Sequence, residues 1–224
     1  MCGRFVNNVA IDVQAERWRA IARVAAWRPT HNAAPTQNHP IVVQDRVGRT
    51  LELATWGWVR DFSGSTLLVN ARGEETHAKS TFRDALSHRR CVVPATAFYE
   101  WTEPAHGRVP WAFALRDRAP FAIAGLWEDA GGQRSFLLLT VPANAVVSPV
   151  HHRMACIVPS AHTDAWLDPA TPMPEVRTLL APYPEAPMEA WRVSTRVNAV
   201  ANDAPGLLTP VPDTTGRQQS LFMP

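Results

Sequence analysis

Residues 89–101 read RRCVVPATAFYEW. The valine, aromatic and cysteine side chains of residues 91–99 favour a buried β-strand. Similar apolar segments follow at residues 111–115, 121–127 and 136–141, and Gly131-Gly132 supplies a turn before the last of them. The middle of the chain is therefore predicted to be mostly β-sheet.

Glu100 is the unusual residue of this stretch, because it lies inside the apolar run that ends at Trp101. An ionised carboxylate that faces a sheet core is costly unless it is paired or has a function. We therefore interpret Glu100 as a functional residue.

Outward from this stretch the chain alternates further strands with short helices. Residues 41–44 and 51–56 flank a turn in which Gly48 can take a positive φ, and residues 66–70 and 153–158 are two more predicted strands. The helices are predicted at residues 11–26, at residues following a Ser80 cap with Phe82, Ala85 and Leu86 buried, at residues 142–147, and from Pro174 to residue 180. This pattern predicts an α+β fold, one β-rich domain over residues 1–212 with flanking helices, followed by an exposed tail at 213–224.

Composition limits the class of protein. The 224 residues are 46% hydrophobic and 19% charged, which is typical of a folded chain with one full core. A net charge of +2 is too small to coat a polyanion, so nucleic-acid affinity would need a local basic groove. No apolar run has the length of a membrane span and no export signal precedes the domain, so we expect a cytoplasmic protein that does not enter membranes.

Cys2 directly follows the initiator methionine. Methionine aminopeptidases generally remove Met1 before so small a side chain, and the mature chain would then begin with an α-amine beside a thiol. An aldehyde condenses with such an amine to an imine, and the thiol closes on the imine carbon to give a five-membered thiazolidine. The alternative interpretation of an isolated Cys2 is a small buried hydrophobic residue.

Short motifs along nearly the whole chain extend this observation. In order they are MCGRF (1–5), NAAPTQ (32–37), WGWV (56–59), NARGEE (70–75), RRCVVPATAFYEW (89–101), AGLWE (124–128), LLTVPAN (138–144), HHRM (151–154) and VNAVANDAP (197–205). Together they resemble the SRAP family, the SOS-response-associated peptidase-like proteins that attach covalently to abasic sites in single-stranded DNA. The resemblance implies a mixed, partly barrel-like sheet.

By the same resemblance the catalytic residues are Cys2, Asn70, Glu100 and His151. Imine formation needs proton delivery to a departing hydroxyl and proton removal from an amine, and Glu100 and His151 suit those roles. Asn70 would hold the opened sugar or orient the amine without titrating, although a turn residue is the alternative interpretation of it. His152 competes with His151, because adjacent strand residues face opposite sides and only one can point into a given pocket.

The DNA-binding residues are expected beside these groups. Arg4, Arg72 and Arg153 each lie within two residues of a catalytic candidate, and the matching family positions contact DNA. Trp101 could stack on a base, or else belong to the core. The chain departs from the family pattern at Arg60 and Phe62, where members usually carry proline and tryptophan; other departures are Glu75, in place of threonine, and Ala155, in place of the proline of RMP.

No cofactor or metal is expected. A zinc site from His151, His152 and Cys156 lacks paired C-x-x-C ligands and a fourth ligand, and the chain has no phosphate-binding glycine loop or dinucleotide fingerprint. Cys91 and Cys156 lie on predicted core strands and are interpreted as buried thiols.

The tail carries a further motif, Gln218-Gln219-Ser220-Leu221-Phe222. It resembles the peptide through which many bacterial DNA-repair proteins bind the replication sliding clamp, with Gln218, Leu221 and Phe222 at the matching positions. The alternative is a tail that folds back on the domain.

The leading hypothesis is a monomeric abasic-site sensor that crosslinks to single-stranded DNA through mature Cys2, shields the lesion, associates with the nucleoid when bound, and has weak lyase activity. One alternative is an N-terminal cysteine-nucleophile peptidase or autoprotease, with His151 as base. Another is a non-enzymatic single-strand-binding module in which Cys2 is incidental.

Overall fold

The computed structural model describes residues 2–45, 48–61, 65–102 and 108–212, and this part of the chain contains sixteen strands and four short α-helices. The strands are Arg4–Asn7 (β1), Ile21–Ala22 (β2), Thr30–Ala33 (β3), Asn38–Gln44 (β4), Arg49–Trp56 (β5), Trp58–Asp61 (β6), Ser65–Leu68 (β7), Asn70–Arg72 (β8), Arg90–Ala95 (β9), Ala97–Thr102 (β10), Val109–Leu115 (β11), Phe121–Ala130 (β12), Gln133–Pro142 (β13), Arg153–Ala155 (β14), Ile157–Val158 (β15) and Met188–Arg192 (β16). The α-helices are Ile11–Arg17 (α1), Ser80–His88 (α2), Thr163–Leu167 (α3) and Met173–Thr178 (α4), and 3-10 turns lie at Gly73–Glu75, Ser160–His162, Thr195–Asn198 and Pro205–Leu208.

The larger sheet is mixed and closes on itself. Strands β13, β12, β9, β4 and β5 are neighbours in that order, and β13 also pairs parallel with β5, which completes a five-strand ring. At the closure the rings of Trp56 and Phe136 stack with centroids 6.1 Å apart, and both side chains are fully buried. The predicted β-rich α+β fold with a partly barrel-like sheet is confirmed.

The second sheet is entirely antiparallel, with the order β16-β11-β10-β1-β3. Its inner face packs into the main core through Phe5, Phe98 and Phe113, and the rings of Phe98 and Phe113 stack at 5.1 Å. A smaller cluster that includes Val6 and Tyr99 covers its other face. This sheet carries the N-terminus and Glu100.

The stretch that suggested one strand over residues 91–99 forms two strands in different sheets. The β9 ladder with β12 ends where Ala95 pairs with Phe121, and the β10 ladder with β1 begins where Ala97 pairs with Val6. Between them the N–H of Thr96 donates to the carbonyl of Val6. The prediction of a single strand was wrong because the backbone changes partners at Thr96, a long-range event that local propensity does not record.

The helix predicted over residues 11–26 ends at Arg17, so its second half was wrong. Arg19 has a φ of +50°, a conformation that does not occur within a right-handed α-helix. Ile21–Ala22 then pairs parallel with β5. The helix predicted at residues 142–147 is also absent. There Asn144 Oδ1 accepts the N–H groups of Val146 and Val147, which makes a turn instead.

Other local predictions hold or shift by a residue. Gly48, Gly131 and Gly132 all have positive φ values at their turns. Helix α2 buries Phe82, Ala85 and Leu86 as predicted, but Ser80 is already helical, so the cap position is Lys79, whose side chain makes no capping bond.

Candidate active site

Cys2 lies two residues before β1, and Glu100 lies on β10, the strand beside β1 in the antiparallel sheet. Strand β1 pairs with β10 so that Arg4 is opposite Tyr99 and Phe5 is opposite Phe98. The same register, continued toward the N-terminus, brings Gly3 level with Glu100. Residue 2 is therefore held beside the carboxylate by the strand pairing itself.

The carboxyl group of Glu100 is only 2% exposed. Burial raises its pKa to about 7, because the charged form loses its hydration. A carboxyl group with this pKa can hold or release a proton at neutral pH, which is what general acid–base catalysis requires.

The thiol of Cys2 is fully buried. Burial raises its pKa far above the ordinary value, and the nearby negative charge of Glu100 raises it further. Its sulfur lies 3.8 Å from the carbonyl oxygen of Arg4. The thiol is thus neutral at physiological pH and has to transfer its proton as it reacts.

Asn70 holds the main chain of Cys2. Strand β8, on which it lies, pairs parallel with β13, and Asn70 Nδ2 donates to the Cys2 carbonyl at 2.8 Å. The amide therefore fixes the residue that would react and does not itself titrate, in agreement with a positioning role.

His151 approaches Glu100 from the segment before β14. Its Nδ1 lies 4.0 Å from Glu100 Oε1, and the side chain is 18% exposed. Both the N–H and the carbonyl oxygen of Arg153 lie 3.0 Å from the same nitrogen. When Nδ1 is unprotonated, it can accept a hydrogen bond from the N–H of Arg153. When Nδ1 is protonated, it can donate to the carbonyl oxygen of Arg153.

The expectation that His151 and His152 face opposite sides was wrong. Their rings stack with centroids 4.5 Å apart. The two residues precede β14 in a bend, so the alternation of a strand does not apply to them.

The three predicted DNA-binding arginines all have protein partners in the structure. Arg153 is buried, and its guanidinium binds both carboxylate oxygens of Glu74 and the carbonyl of Thr140. Arg4 donates to Asn32 and to main-chain carbonyls of residues 197 and 198. Arg72 pairs with Glu75, but its side chain is 56% exposed. DNA contact by each of them stays a prediction.

Trp101 follows Glu100 on β10 and is half-buried. Its Nε1 donates to Asn198 Oδ1 at 2.8 Å, and its ring lies 6.4 Å from that of Tyr99. The guanidinium carbon of Arg108 lies 5.9 Å from the Trp101 ring centroid. The indole is thus oriented by hydrogen bonding and bordered by a cation.

Sequence analysis assigned no role to Asn32, Glu74, Arg108 or Asn198. Asn32 accepts from Arg4 and donates to carbonyls of residues 197, 199 and 202. The motif VNAVANDAP thereby docks against the first strand and against Trp101. The motif could have indicated that these residues matter, but not what they contact, because Asn32 and Trp101 lie more than 90 residues away from it along the chain.

The remaining predictions concern other cysteines, metals and the tail. Cys91 and Cys156 are fully buried free thiols, which confirms that interpretation. Within the described ranges no three His, Cys, Asp or Glu side chains gather where a metal ion could bind. In that part of the chain no helix is long and apolar enough to cross a membrane. Gln218, Leu221 and Phe222 lie outside the described residues, and clamp binding stays a prediction.

Solved structures share this fold. A crystal structure of a protein from Bacteroides thetaiotaomicron has a TM-score of 0.82 at 19% identity, and the match covers 94% of this chain and 100% of that one. A second, from Bordetella bronchiseptica, has a TM-score of 0.73 at 25% identity, with 86% of this chain and 100% of that one covered.

Sequence comparison gives names to the relatives. "Abasic site processing protein YoaM" of Bacillus subtilis is 32% identical over 93% of this chain and 97% of its own length. "Abasic site processing protein HMCES" of Gallus gallus is 28% identical over 84% of this chain and 68% of its own length. The model of the SOS response associated peptidase (SRAP) family matches residues 1–200, a span that contains every residue of the site around Cys2. By this match, together with the identity to YoaM, the chain belongs to the SRAP family.

Proposed function

We propose that this protein processes abasic sites in single-stranded DNA by forming a covalent crosslink through Cys2. The observation that carries the proposal is that Asn70 holds the carbonyl of Cys2 and that Glu100, on the strand paired with β1, has His151 beside it. Relatives that match nearly the whole chain are named abasic site processing proteins, which supports the same substrate.

The chemistry begins once Met1 has been removed. The α-amine of Cys2 adds to the aldehyde carbon of the ring-opened abasic sugar, and the adduct loses its hydroxyl as water to give an imine. The sulfur then bonds to the imine carbon while the thiol proton ends on the nitrogen. The product is a thiazolidine that contains both former nucleophiles, and no oxidant or reductant is consumed.

Glu100 and His151 move the protons in this sequence. Glu100, protonated up to about pH 7, donates to the departing hydroxyl. His151 accepts the proton that the amine loses on attack. Because the Cys2 thiol is neutral before it reacts, one of these two groups must also accept the sulfur's proton and return it to nitrogen.

The DNA strand is proposed to cross the face that carries Arg72 and Trp101. Arg72 is exposed enough to meet a phosphate, and the oriented indole of Trp101 can stack on a base next to the lesion. We propose that Arg4 and Arg153 also contact the strand. Their guanidinium groups already donate to protein acceptors, so each would bind a phosphate in addition to those acceptors.

A weak lyase activity follows from the same imine. Loss of a proton from the sugar carbon next to the imine expels the 3′ phosphate and cuts the strand, and ring closure by sulfur competes with this step. Cys2→Ser keeps the amine and lacks the thiol, so it separates the two outcomes.

The experiment uses the mature chain, with loss of Met1 verified by mass spectrometry, and a single strand that contains one abasic site. We expect the wild type to give an adduct that survives denaturation, and the Cys2→Ser variant to give an adduct only after borohydride reduction. Cys91→Ala is the matched control and should crosslink normally. Equal adduct yields from Cys2→Ala and wild type would contradict the proposal, and turnover of a peptide would instead favour the peptidase.

A further inference from the structure

A polar cleft of about 280 Å³ lies where the end of α1, the start of β5 and α3 meet. It joins a wider cleft through shared residues. We refer to it as the arginine cleft, and its polar walls are formed by Arg17, Trp18, Arg19, Arg49, Thr163 and Asp164.

The arginine cleft is far from Cys2. Arg49 begins β5 and Trp56 ends it, so seven residue steps, about 24 Å of strand, separate the cleft from the end of β5. Trp56 Nε1 donates to the carbonyl of Val69, the residue before Asn70. The crosslinking chemistry therefore does not use the cleft.

Positive charge exceeds negative charge in these walls, with three guanidinium groups and one carboxylate. Arg19 and Arg49 both bind Asp164, and these hydrogen bonds lower the pKa of that carboxyl group. Arg17 lies over the Trp18 ring at 5.4 Å, and no acidic side chain pairs with it in the described part of the chain. One cation is thus free, and the other two share a single carboxylate.

The same walls contain buried donors that lack acceptors among the described residues. Trp18 and Thr163 are each 5% exposed, and neither the indole Nε1 nor the hydroxyl has a hydrogen-bond partner. The Nε of Arg49 is also buried without one. Such groups are rare in folded proteins, and three of them belong to residues that line this one cleft.

The backbone at the cleft is strained as well. Arg19 adopts a φ of +50°, a conformation that usually falls to glycine. This conformation ends α1 and turns the chain, while the Arg19 guanidinium binds Asp164. Non-glycine residues are kept in this region where the surroundings hold them, often at binding sites.

We infer that the arginine cleft is a binding site for a phosphate group. Guanidinium groups match phosphate oxygens in pairs, and the indole N–H and the hydroxyl add neutral donors of the type that phosphate sites use. Asp164 holds Arg19 and Arg49 in place until phosphate, which carries more charge, takes over their hydrogen bonds. The phosphate belongs either to a free small molecule or to the backbone of a DNA strand that extends several nucleotides beyond the lesion.

The test is calorimetric titration with inorganic phosphate at constant ionic strength and pH 7. We expect saturable binding to wild type and about tenfold weaker binding to Arg17→Gln, which loses one charge-assisted contact. Thr163→Val, which keeps the shape and removes the donor, should also weaken it. Asp164→Asn should bind several-fold more tightly, because the carboxylate that repels phosphate is gone, and a merely destabilised protein would not show this gain.

Arg83→Gln provides the control, since Arg83 is exposed on α2, donates to the carbonyls of His77 and Ala78, and does not line the arginine cleft. It should bind phosphate as wild type does. Absence of saturable binding in both wild type and Asp164→Asn would overturn the proposal, as would equal binding by wild type and Arg17→Gln. General stabilisation by phosphate would affect all variants alike.

Titration with an undamaged 20-nucleotide single strand then distinguishes the two sources. If the phosphate is that of DNA, Arg17→Gln lowers strand affinity and its salt dependence. If it is that of a free molecule, strand binding is unchanged while inorganic phosphate binding falls. Crosslinking to abasic DNA should persist in Arg17→Gln in either case, so failure of this site is separable from failure of the proposed function.

Discussion

Glu100 Oε1 lies 4.0 Å from His151 Nδ1, at the inner end of a site in which the carboxyl group is almost fully buried. A carboxyl group and an imidazole from distant parts of the chain therefore lie side by side, and the carboxyl group is on the strand that pairs with β1. Because Glu100 has a pKa of about 7, its carboxyl group can hold or release a proton at neutral pH.

The rate of crosslinking should depend on the protonation of Glu100. Below about pH 7 the carboxyl group is protonated and can donate to the departing hydroxyl, so the rate should fall as pH rises through this value. Glu100→Gln should lower the rate by about 10²- to 10⁴-fold and abolish the decline in rate that wild type shows as pH rises through about 7. Single-turnover adduct formation between pH 5 and 9 measures both effects, and an unchanged pH profile in the variant would argue against the assigned role.

The stability of the fold should also fall as pH rises, because Glu100 is buried. The folded state keeps the proton up to about pH 7, whereas the unfolded chain releases it near 4.5, so stability declines between these values as pH rises. This difference corresponds to about 3 kcal/mol. Glu100→Gln should therefore be up to about 3 kcal/mol more stable than wild type at pH 8 and nearly equal at pH 4. Urea unfolding at both values tests this, with exposed Glu16→Gln as the variant that should show no such change.

His39 should limit stability in acid. It is 2% exposed and contacts the ring of Phe5, and burial lowers its pKa to about 4, with the backbone of Ala34 offsetting part of the effect. The unfolded chain binds this proton below about pH 6.5, so stability is lost as pH falls from 6.5 to 4.

The test compares unfolding free energies at pH 7 and pH 4.5. In His39→Leu the loss between these values should be smaller than in wild type by about 2–3 kcal/mol. His162→Leu, at an exposed position, should lose as much as wild type. Identical losses in all three proteins would show that His39 is not the group responsible.

The sequence indicated β-character and the special position of Glu100, because both follow from local composition and the cost of a buried charge. It did not indicate that the backbone changes sheets at Thr96. That position is set by where β9 stops pairing with β12 and β10 starts pairing with β1, and both partner strands are distant in sequence. The register of β1 against β10, which brings Gly3 level with Glu100, is likewise a long-range property.

The arginines show what the sequence could not predict about the site. Arg4 and Arg153 were predicted to contact DNA because they neighbour catalytic candidates. In the structure Arg4 binds Asn32 and Arg153 binds Glu74, and each partner lies far away along the chain. The sequence showed which residues are near the site but not which way each side chain turns. The family motifs named Asn70 and His151, which local patterns alone did not single out, and the structure places Asn70 against Cys2 and His151 near Glu100.

Arg72 should contribute to DNA affinity through charge. Arg72→Gln should weaken binding of an abasic single strand several-fold and reduce the slope of log affinity against log salt by about 0.7, the value for one phosphate contact on a single strand. The adduct rate at saturating DNA should stay within about twofold of wild type. A slope equal to that of wild type would exclude a phosphate contact at this position.

Glu75 should oppose Arg72. It binds the Arg72 guanidinium directly, at the position where SRAP members usually have threonine. Glu75→Thr releases the guanidinium and removes a negative charge near the proposed strand path, so the variant should bind DNA more tightly at low salt. The gain should shrink when Arg72→Gln is added, because only the loss of the negative charge and the release of Lys79, the other ion-pair partner of Glu75, then remain.

Asn198 should act on DNA through Trp101. Its side-chain oxygen accepts the indole N–H at 2.8 Å and fixes the plane on which a base would stack. Base stacking on an aromatic side chain contributes about 1–3 kcal/mol, so Trp101→Ala should weaken single-strand binding roughly tenfold or more. Asn198→Ala, which loses one hydrogen bond, should weaken it about threefold.

Trp101→Phe keeps a stacking ring without the N–H, and in that background Asn198→Ala should have no further effect. Fluorescence titration of the four proteins of this cycle, wild type included, measures the coupling directly, and additive losses would show that Asn198 contacts the strand independently of the indole.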